Sequence, residues 1–343
     1  MTTPDRVRQE PEARIWAGLA LAVGLGLVAT VLGRLAPVVG APVFGIVLGL
    51  LVRQWLGQRD NLSAGIGFSS RVVLQIAVVL LGAGLSLTQI AQIGWSALPV
   101  MLGTLGLALV AGPVIGRWLG VGYETRTLIT VGTGICGASA IATVSAVIGA
   151  SSTAIAVSMT VIFVYNVLAA LLFPALGQLM GMSQESFGLW AGTAINDTSS
   201  VVAAATIYGA VATSQAVVVK LTRTLMIIPI SVGHAWRRSR TVDAGEGGMR
   251  ARMQWNRLVP PFLLLFLVAA ALNTAGAIPD SWQDPLKALA VFCTAVALSA
   301  VGLSTPVTAM REAGWRPLAL GGVLWGLVAT SALGLQLLTE RER

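Results

Sequence analysis

The stretch AGTAINDTSSVVAAATIYGA, residues 191–210, places Asn196 and Asp197 in the middle of about twenty residues that are otherwise mostly small or apolar. A run of this length is what a helix needs to cross about 30 Å of hydrocarbon. An ionised aspartate at the bilayer centre costs about 2.5 to 3.5 kcal/mol on insertion scales, so it is kept mainly where it faces a polar cavity or a partner. The stretch therefore indicates a polar site inside a membrane. The alternative is a polar pair that only joins two helices by hydrogen bonds.

The composition of the whole chain agrees with a membrane location. The 343 residues are 55% hydrophobic and only 10% charged, with a mean hydropathy of +0.81. Backbone groups in lipid must be satisfied within the spanning segment, and no alternating ten-residue pattern predicts a barrel. We therefore expect an all-α polytopic membrane protein with about eleven transmembrane helices. Their predicted limits are 15–35, 38–56, 70–90, 96–118, 126–149, 153–178, 185–209, 212–233, 257–276, 284–304 and 316–337.

The positions of the arginines give the predicted orientation. Cytoplasmic loops collect Lys and Arg, and most of the 22 basic residues fall in inner segments when the N-terminus is placed in the cytoplasm. The opening apolar run is longer than a signal-peptide core, so we interpret it as a retained first span. The formal charge of +8 is then explained by contact with anionic lipid rather than with nucleic acid.

The same count divides the chain into four parts. A cytoplasmic N-terminal segment covers residues 1–14, and a first membrane region covers 15–233, with broken helices expected near 126–149 and 185–209. A basic cytoplasmic loop follows at 234–256, and a C-terminal membrane region at 257–343. The basic loop is interpreted as solvated, with a regulatory role as the alternative.

Two internal matches predict a repeat. VGTGICGASAIATVSAVIGA (131–150) matches 191–210 at an offset of 60 residues, and Gly84-Leu85-Ser86 matches Gly302-Leu303-Ser304. The second pair lies seven predicted spans apart and would form an inverted repeat, as transporters often have. The first pair lies two predicted spans apart, so its copies are expected to run parallel.

Glycines in the first copy predict an interrupted helix. Gly134 and Gly137 flank Cys136, and Ser139 follows, so regular helix is weakened at mid-membrane depth. A break would present N–H groups that favour an anion at the start of one half-helix and carbonyl groups that favour a cation at the end of the other. The alternative is close helix packing through small residues.

The second copy adds oxygen-bearing side chains to the same depth. We expect them to line a substrate site, with Asp197, Asn196 and Lys220 as the groups that couple transport to an ion. The substrate-binding candidates of the two copies are Gly134, Cys136, Gly137, Ser139, Thr193, Asn196, Thr198, Ser199 and Ser200.

Two cations lie in the next predicted span. Lys220 and Arg223 are three residues apart and share one helical face. Asp197 is the expected counter-charge for one of them, which leaves about one positive charge for an anionic substrate held by the planar guanidinium. Alternatively, Arg223 extends to the inner surface and Lys220 simply pairs with Asp197.

Other polar residues carry weaker signals. His234 is expected to be interfacial, with a proton relay as the alternative, and Lys287 beside Asp284 is expected at the outer surface. Asn166 could face a cavity or join two helices. Both cysteines, Cys136 and Cys293, fall inside predicted spans, so no disulfide is expected.

The order of motifs resembles the YeiH-type family of bacterial inner-membrane proteins, to which sulfate export is attributed. The resemblance covers nearly the whole chain. It is carried by GTGICGASA (132–140), VSMTVIF (157–163), GTAINDTSSVVAA (192–204), VVKLTRTLMIIP (218–229) and GLST (302–305).

The resemblance implies membership of the superfamily of cation/proton antiporters and bile-acid:sodium symporters. That superfamily combines a panel domain with a core domain in which two discontinuous helices cross near the midplane. Some relatives carry a His-Glu pair where this chain has Asn196 and Asp197, so the coupling chemistry is not uniform.

The leading hypothesis is a secondary transporter, working as an exporter, for a small oxyanion such as sulfate or a related sulfur compound, driven by a proton or sodium gradient. The alternative is a cation/proton antiporter that uses Asn196, Asp197 and Lys220. An enzyme is not expected, because the chain has no HExxH or GxSxG motif. The expected partners are the lipid bilayer and the anion, with a homodimer left open, and no cofactor or metal is expected beyond the coupling ion.

Overall fold

The computed structural model describes residues 10–35, 40–56, 59–230, 233–234, 261–304 and 314–341. These residues are almost entirely helical, and none of them is in a strand. The helices are α1 (Glu10–Leu35), α2 (Gly40–Leu56), α3 (Asp60–Phe68), α4 (Leu74–Gly82), α5 (Leu87–Trp118), α6 (Tyr123–Gly134), α7 (Ala138–Ile148), α8 (Ser152–Leu179), α9 (Gln184–Ala194), α10 (Thr198–Tyr208), α11 (Ala210–Thr224), α12 (Pro261–Thr274), α13 (Asp280–Ser304) and α14 (Trp315–Arg341).

Long apolar helices confirm the all-α membrane class, but not the count of eleven spans. Within the described ranges, seven segments are long and apolar enough to cross a bilayer. They are Ile15–Leu35, Asn61–Gly82, Leu87–Trp118, Ser152–Leu179, Ala210–Ile230, Ser281–Ser304 and Trp315–Thr339. Two of the predicted spans, 126–149 and 185–209, are instead divided into half-helices.

The chain forms two compact units. The first comprises Met1–Leu87 and Leu265–Thr305, and the second comprises Thr88–Leu264 and Pro306–Arg343. In the first unit, glycines let helices approach closely: a β-carbon on Gly302 of α13 would lie 3.0 Å from the Cα atom of Gly49 in α2. Such small-residue contacts are the usual way in which helices associate in lipid.

The second unit contains a helical hairpin formed by α6 and α7, which we call hairpin 1. Its base is fixed by Glu124, whose carboxylate accepts hydrogen bonds from the backbone N–H (2.9 Å) and the hydroxyl (2.7 Å) of Ser151. The two half-helices are packed together, since a β-carbon on Gly132 would lie 3.0 Å from Ile141 Cδ1. With 12 and 11 residues, each half-helix is about 16 to 18 Å long, roughly half of the hydrocarbon thickness.

A second hairpin, formed by α9 and α10 and called hairpin 2, is built in the same way. Gln184 Oε1, at its base, accepts a hydrogen bond from the backbone N–H of Val211 (3.0 Å). The Tyr208 hydroxyl donates to the carbonyl oxygen of Met182 (2.6 Å), and its ring stacks on Phe187 with 3.8 Å between centroids. The two ends of this segment therefore also lie side by side.

Helix α8, which connects the hairpins, shows how they are oriented. Near its start, the Ser158 hydroxyl donates to the carbonyl oxygen of Thr125 at the base of hairpin 1 (3.4 Å). At its middle, Asn166 Oδ1 accepts from the backbone N–H of Asn196 at the far end of hairpin 2 (3.2 Å). Near its end, Gly177 packs against the base of hairpin 2. The hairpins thus begin at opposite ends of α8 and point toward its centre.

Helix α11 passes the hairpins in the reverse order. A β-carbon on Gly188 of hairpin 2 would lie 2.8 Å from the carbonyl oxygen of Ala212, at the start of α11. Beyond the end of α11, Ile227 belongs to an apolar cluster that includes Leu128 of hairpin 1. The unit is therefore an inverted repeat, with hairpin 1 and α8 as one copy and hairpin 2 and α11 as the other.

This arrangement corrects one expectation from the sequence. The copies at 131–150 and 191–210 do not run parallel, because each belongs to a hairpin that returns to its own end, and one crossing helix separates them. The second internal match stays a prediction, since residues 305–313 lie outside the described ranges. The same holds for the division into four parts and for the basic loop, of which only His234 is described.

Candidate functional site

The far ends of the hairpins meet and form the candidate site. We call residues 135–137 tip 1 and residues 195–197 tip 2. Tip 1 turns at Gly137, whose φ of +67° favours glycine because it has no β-carbon. Tip 2 is extended at Ile195 and ends at Asp197, the N-cap residue of α10. A β-carbon on Gly137 would lie 3.5 Å from the Asn196 carbonyl oxygen, so the tips are in close contact. The predicted interruptions are thereby confirmed.

Lys220 links the two tips. Its side chain is fully buried, and Nζ donates to the carbonyl oxygens of Ile135 (3.2 Å) and Ile195 (2.6 Å). These carbonyls follow the C-terminal ends of α6 and α9, where the helix dipoles carry partial negative charge and stabilise a cation. The ammonium group has three donors, so one remains for a ligand or water.

The predicted pair between Lys220 and Asp197 is not formed. The Asp197 carboxylate accepts hydrogen bonds from the backbone N–H (2.9 Å) and hydroxyl of Ser199, as a helix cap does. The backbone N–H groups of Asn196 and Asp197 both donate to Asn166 Oδ1, at 3.2 and 3.1 Å. Asn166 therefore holds tip 2 in place, which is the joining role that the sequence left as an alternative.

Arg223 is only partly satisfied by hydrogen bonds. Its side chain is fully buried and Nε donates to the carbonyl oxygen of Gly134 (2.8 Å). Nη1 and Nη2 have no hydrogen-bond partner among the residues that the structure describes. Extension to the inner surface, the alternative considered above, does not occur. An unpaired buried guanidinium edge is costly, so the arrangement calls for an anionic partner.

Further buried polar atoms at the tips lack partners within the described part of the chain. They are Thr133 Oγ1, Thr193 Oγ1, and both Oδ1 and Nδ2 of Asn196. Thr133 and Thr193 occupy equivalent positions in the inverted repeat, two residues before each interruption. Most buried polar groups in proteins are hydrogen-bonded. Such a concentration of unsatisfied donors and acceptors is typical of a ligand site.

The structure gathers most of the predicted site residues. Cys136 and Gly137 form tip 1, Asn196 and Asp197 form tip 2, and Ser199 and Ser200 lie buried in the first turn of α10. Thr198 is half-buried. Ser139 is the exception, since it is exposed and lies outside the buried cluster.

Sequence reasoning missed Thr133 as a site residue, although it lies in the repeated Gly-Thr pair. Its equivalence to Thr193 at the offset of 60 residues was the signal that could have identified it.

Two half-length hairpins whose tips enclose a buried polar cluster define a membrane protein of transporter-like architecture. The chain belongs to the family described as conserved hypothetical protein 698, the YeiH or UPF0324 family, whose model matches residues 17–321. It is 41% identical over 326 residues to a UPF0324 membrane protein of Streptococcus pyogenes serotype M3, covering 93% of this chain and 96% of the relative. Over 329 residues it is 40% identical to one from Streptococcus pneumoniae, covering 94% and 96%.

Proposed function

We propose that this protein is a secondary transporter for a small oxyanion, such as sulfate or a related sulfur compound, working as an exporter and driven by a proton or sodium gradient. The observation that carries the proposal is the buried Arg223 edge without a partner, beside Lys220 and at the contact of the two tips. A guanidinium edge offers two parallel N–H donors that match two oxygens of a sulfate or sulfonate group.

The occupation of the tip carbonyl oxygens by protein cations favours an anionic substrate over a cationic one. In broken-helix transporters, carbonyls at half-helix ends commonly coordinate sodium. Here Lys220 and Arg223 occupy the carbonyl oxygens of Gly134, Ile135 and Ile195. A metal cation at these oxygens would have to displace two positively charged side chains.

Asp197 is the proposed coupling residue. Its carboxylate is half-buried at the site and is held by Ser199 rather than neutralised by Lys220. Binding of a proton or sodium ion there would remove the negative charge nearest to the incoming anion. Anion and coupling ion would then stabilise the same occupied state.

The experiment is flux of radiolabelled sulfate, sulfite and a small organosulfonate in proteoliposomes. Wild-type protein is expected to show saturable flux for at least one of these anions. Lys220→Ala and Asp197→Asn are each expected to reduce it strongly. The matched control is Lys287→Ala, since Lys287 is exposed and lies in the other unit. Undiminished flux of every anion in both site variants would refute the proposal.

The second candidate function is a cation/proton antiporter. The observation that favours it is the position of the Asp197 carboxylate on tip 2, where it could bind a cation or a proton. Its test is acidification of the vesicle interior driven by a sodium gradient without added oxyanion. Sodium-driven proton movement that ignores sulfate and disappears in Asp197→Asn would favour the antiporter. The oxyanion proposal predicts no such movement.

A further inference from the structure

A cavity of about 410 Å³ opens in the second unit beside the base of hairpin 1. It lies between the end of α5, the start of α6 and the segment that follows α11. Most of its lining surface is apolar, and its polar lining residues are Arg117, Tyr123, Arg126, Thr127, Thr130 and His234. With about 30 Å³ per water molecule, the volume has room for a small anion and much of its hydration shell.

The chemistry of this cavity is basic. Arg117 is exposed in the last turn of α5, and Arg126 is half-buried in the first turn of α6 with its guanidinium 5.6 Å from the centre of the Tyr123 ring. None of the described residues that line the cavity is acidic. The nearest carboxylate along the chain, Glu124, is bonded to Ser151 instead. A concave surface of one sign concentrates counter-ions.

One face of α6 carries both residues of the cavity lining and Gly134 of the buried site. The lining residues Tyr123, Thr127 and Thr130 recur at spacings of three and four, which places them on one side of the helix. The next position on that face is Gly134, whose carbonyl oxygen accepts the bond from Arg223 Nε. From Thr130 to Gly134 the helix rises only about 6 Å.

We propose that this cavity is an oxyanion site in which Arg117 and Arg126 bind the anion before it moves along α6 to Arg223. We call the cavity the outer site, because it lies at the start of α6, and the buried site at Arg223 the inner site. The inference rests on the proposed function for the direction of movement, but the binding site itself can be tested without transport. The shared chemistry is a tetrahedral oxyanion group, which a free sulfate ion or the phosphate of a lipid headgroup could supply. The free ion is favoured because Thr130 of the cavity lining lies only one helical turn from Gly134, whose carbonyl oxygen holds Arg223.

The first test measures sulfate binding to purified Arg223→Lys protein by isothermal titration calorimetry. The Arg223→Lys change weakens the inner site, so the binding that remains reports on the outer one. Adding Arg126→Gln or Arg117→Gln is expected to weaken the remaining binding about tenfold at low ionic strength, since these charges concentrate the anion. Arg126→Lys should retain most of it. The matched control is Arg34→Gln in the other unit, which should change nothing. Binding that is unchanged by both arginine variants would overturn the site.

The second test measures the sulfate concentration dependence of flux in phosphatidylcholine vesicles. The variants Arg126→Gln and Arg117→Gln are expected to raise KM about tenfold while the maximal rate stays within about twofold, and added salt should reduce the difference. A lower maximal rate at unchanged KM would overturn the collecting role. If the arginine effect appears only in vesicles with phosphatidylglycerol, the bound group is a lipid phosphate and the route is refuted.

The two proposals fail in different ways. Wild-type protein that binds sulfate through Arg126 but carries none across the membrane would refute the proposed transport and keep the outer site. If wild-type protein transports sulfate and neither Arg117→Gln nor Arg126→Gln changes the KM, the outer site is refuted and the proposed transport stands.

Discussion

Hairpins 1 and 2 have nearly the same backbone but carry different chemistry. Their half-helices contain 12 and 11 residues in hairpin 1, and 11 and 11 in hairpin 2. The N-cap residue of the second half-helix is Gly137 in hairpin 1 and Asp197 in hairpin 2, and the residue at the base is Glu124 in hairpin 1 and Gln184 in hairpin 2. Each hairpin therefore has one ionisable clamp or cap, at its base in hairpin 1 and at its tip in hairpin 2.

This difference indicates a division of roles at the site. Tip 1 carries no acid, so the positive end of α7 and the guanidinium of Arg223 remain available to an anion. Tip 2 carries the carboxylate that can take up a coupling ion. Under the proposed function, the two halves of this symmetric scaffold would respond to different ions, one to the substrate anion and the other to the coupling ion.

The largest expected effect comes from Arg223, which serves tip 1. Arg223→Lys keeps the charge but loses the planar pair of donors, and each lost charged hydrogen bond is worth about 1.5 to 3 kcal/mol. Oxyanion flux at low substrate concentration should therefore fall about 10- to 100-fold or more, while thermal unfolding of the purified protein shows that the fold persists. Flux within twofold of wild type would remove Arg223 from the site.

Asp197 should separate coupling from transport. Asparagine caps helices as well as aspartate does, so Asp197→Asn should fold normally, lose gradient-driven uptake and retain some exchange of labelled for unlabelled anion. The companion variant Asp197→Ala also loses the cap and should cost about 1 kcal/mol of stability. Full gradient-driven uptake by Asp197→Asn would place the coupling group elsewhere.

Gly137 should be more sensitive to substitution by alanine than a glycine in the regular helix of α5. A side chain at φ of +67° is strained, and Gly137→Ala should destabilise the protein by about 1 to 3 kcal/mol. Gly106→Ala is the control: a β-carbon on this α5 residue meets nothing within 4 Å, and alanine favours helix. A comparison of Tm values tests this. Equal Tm values for the two variants would mean that the positive φ angle at position 137 does not require glycine.

The smallest effect concerns the bases of the hairpins. The hydrogen bonds from the Ser151 backbone and hydroxyl lower the pKa of Glu124 below its ordinary value. The resulting stabilisation is present above the unfolded-state pKa of about 4.3 and is lost as pH falls through the lower folded-state pKa. Glu124→Gln should therefore show a smaller loss of Tm than wild type on acidification to about pH 3.5. Gln184→Glu should enlarge that loss by giving hairpin 2 the same clamp. Identical dependence of Tm on pH for wild type and both variants would mean that the hydrogen bonds between Glu124 and Ser151 do not contribute to stability.

The sequence predicted the interruptions at both tips because glycines and polar residues in apolar runs are local signals. It did not predict that the interrupted segments fold back. The distribution of positive charge gave no help, since no Lys or Arg lies between Arg126 and Lys220. Two crossing helices and two hairpins therefore place the arginines on the same sides of the membrane as the four crossing helices that the sequence predicted. The Lys220 contacts were missed for a related reason: backbone carbonyls freed by the interruptions are acceptors that no side-chain pattern reveals.

The inverted hairpins are tested most directly by single cysteines in a Cys136→Ala, Cys293→Ala background, labelled from one side with a membrane-impermeant thiol reagent. Tyr123→Cys and Ala150→Cys mark the two ends of hairpin 1, and Met180→Cys marks the far end of α8. The account predicts that positions 123 and 150 are labelled from the same side and position 180 from the opposite side. Labelling of positions 123 and 150 from opposite sides would contradict it, because the segment between them would then cross the membrane.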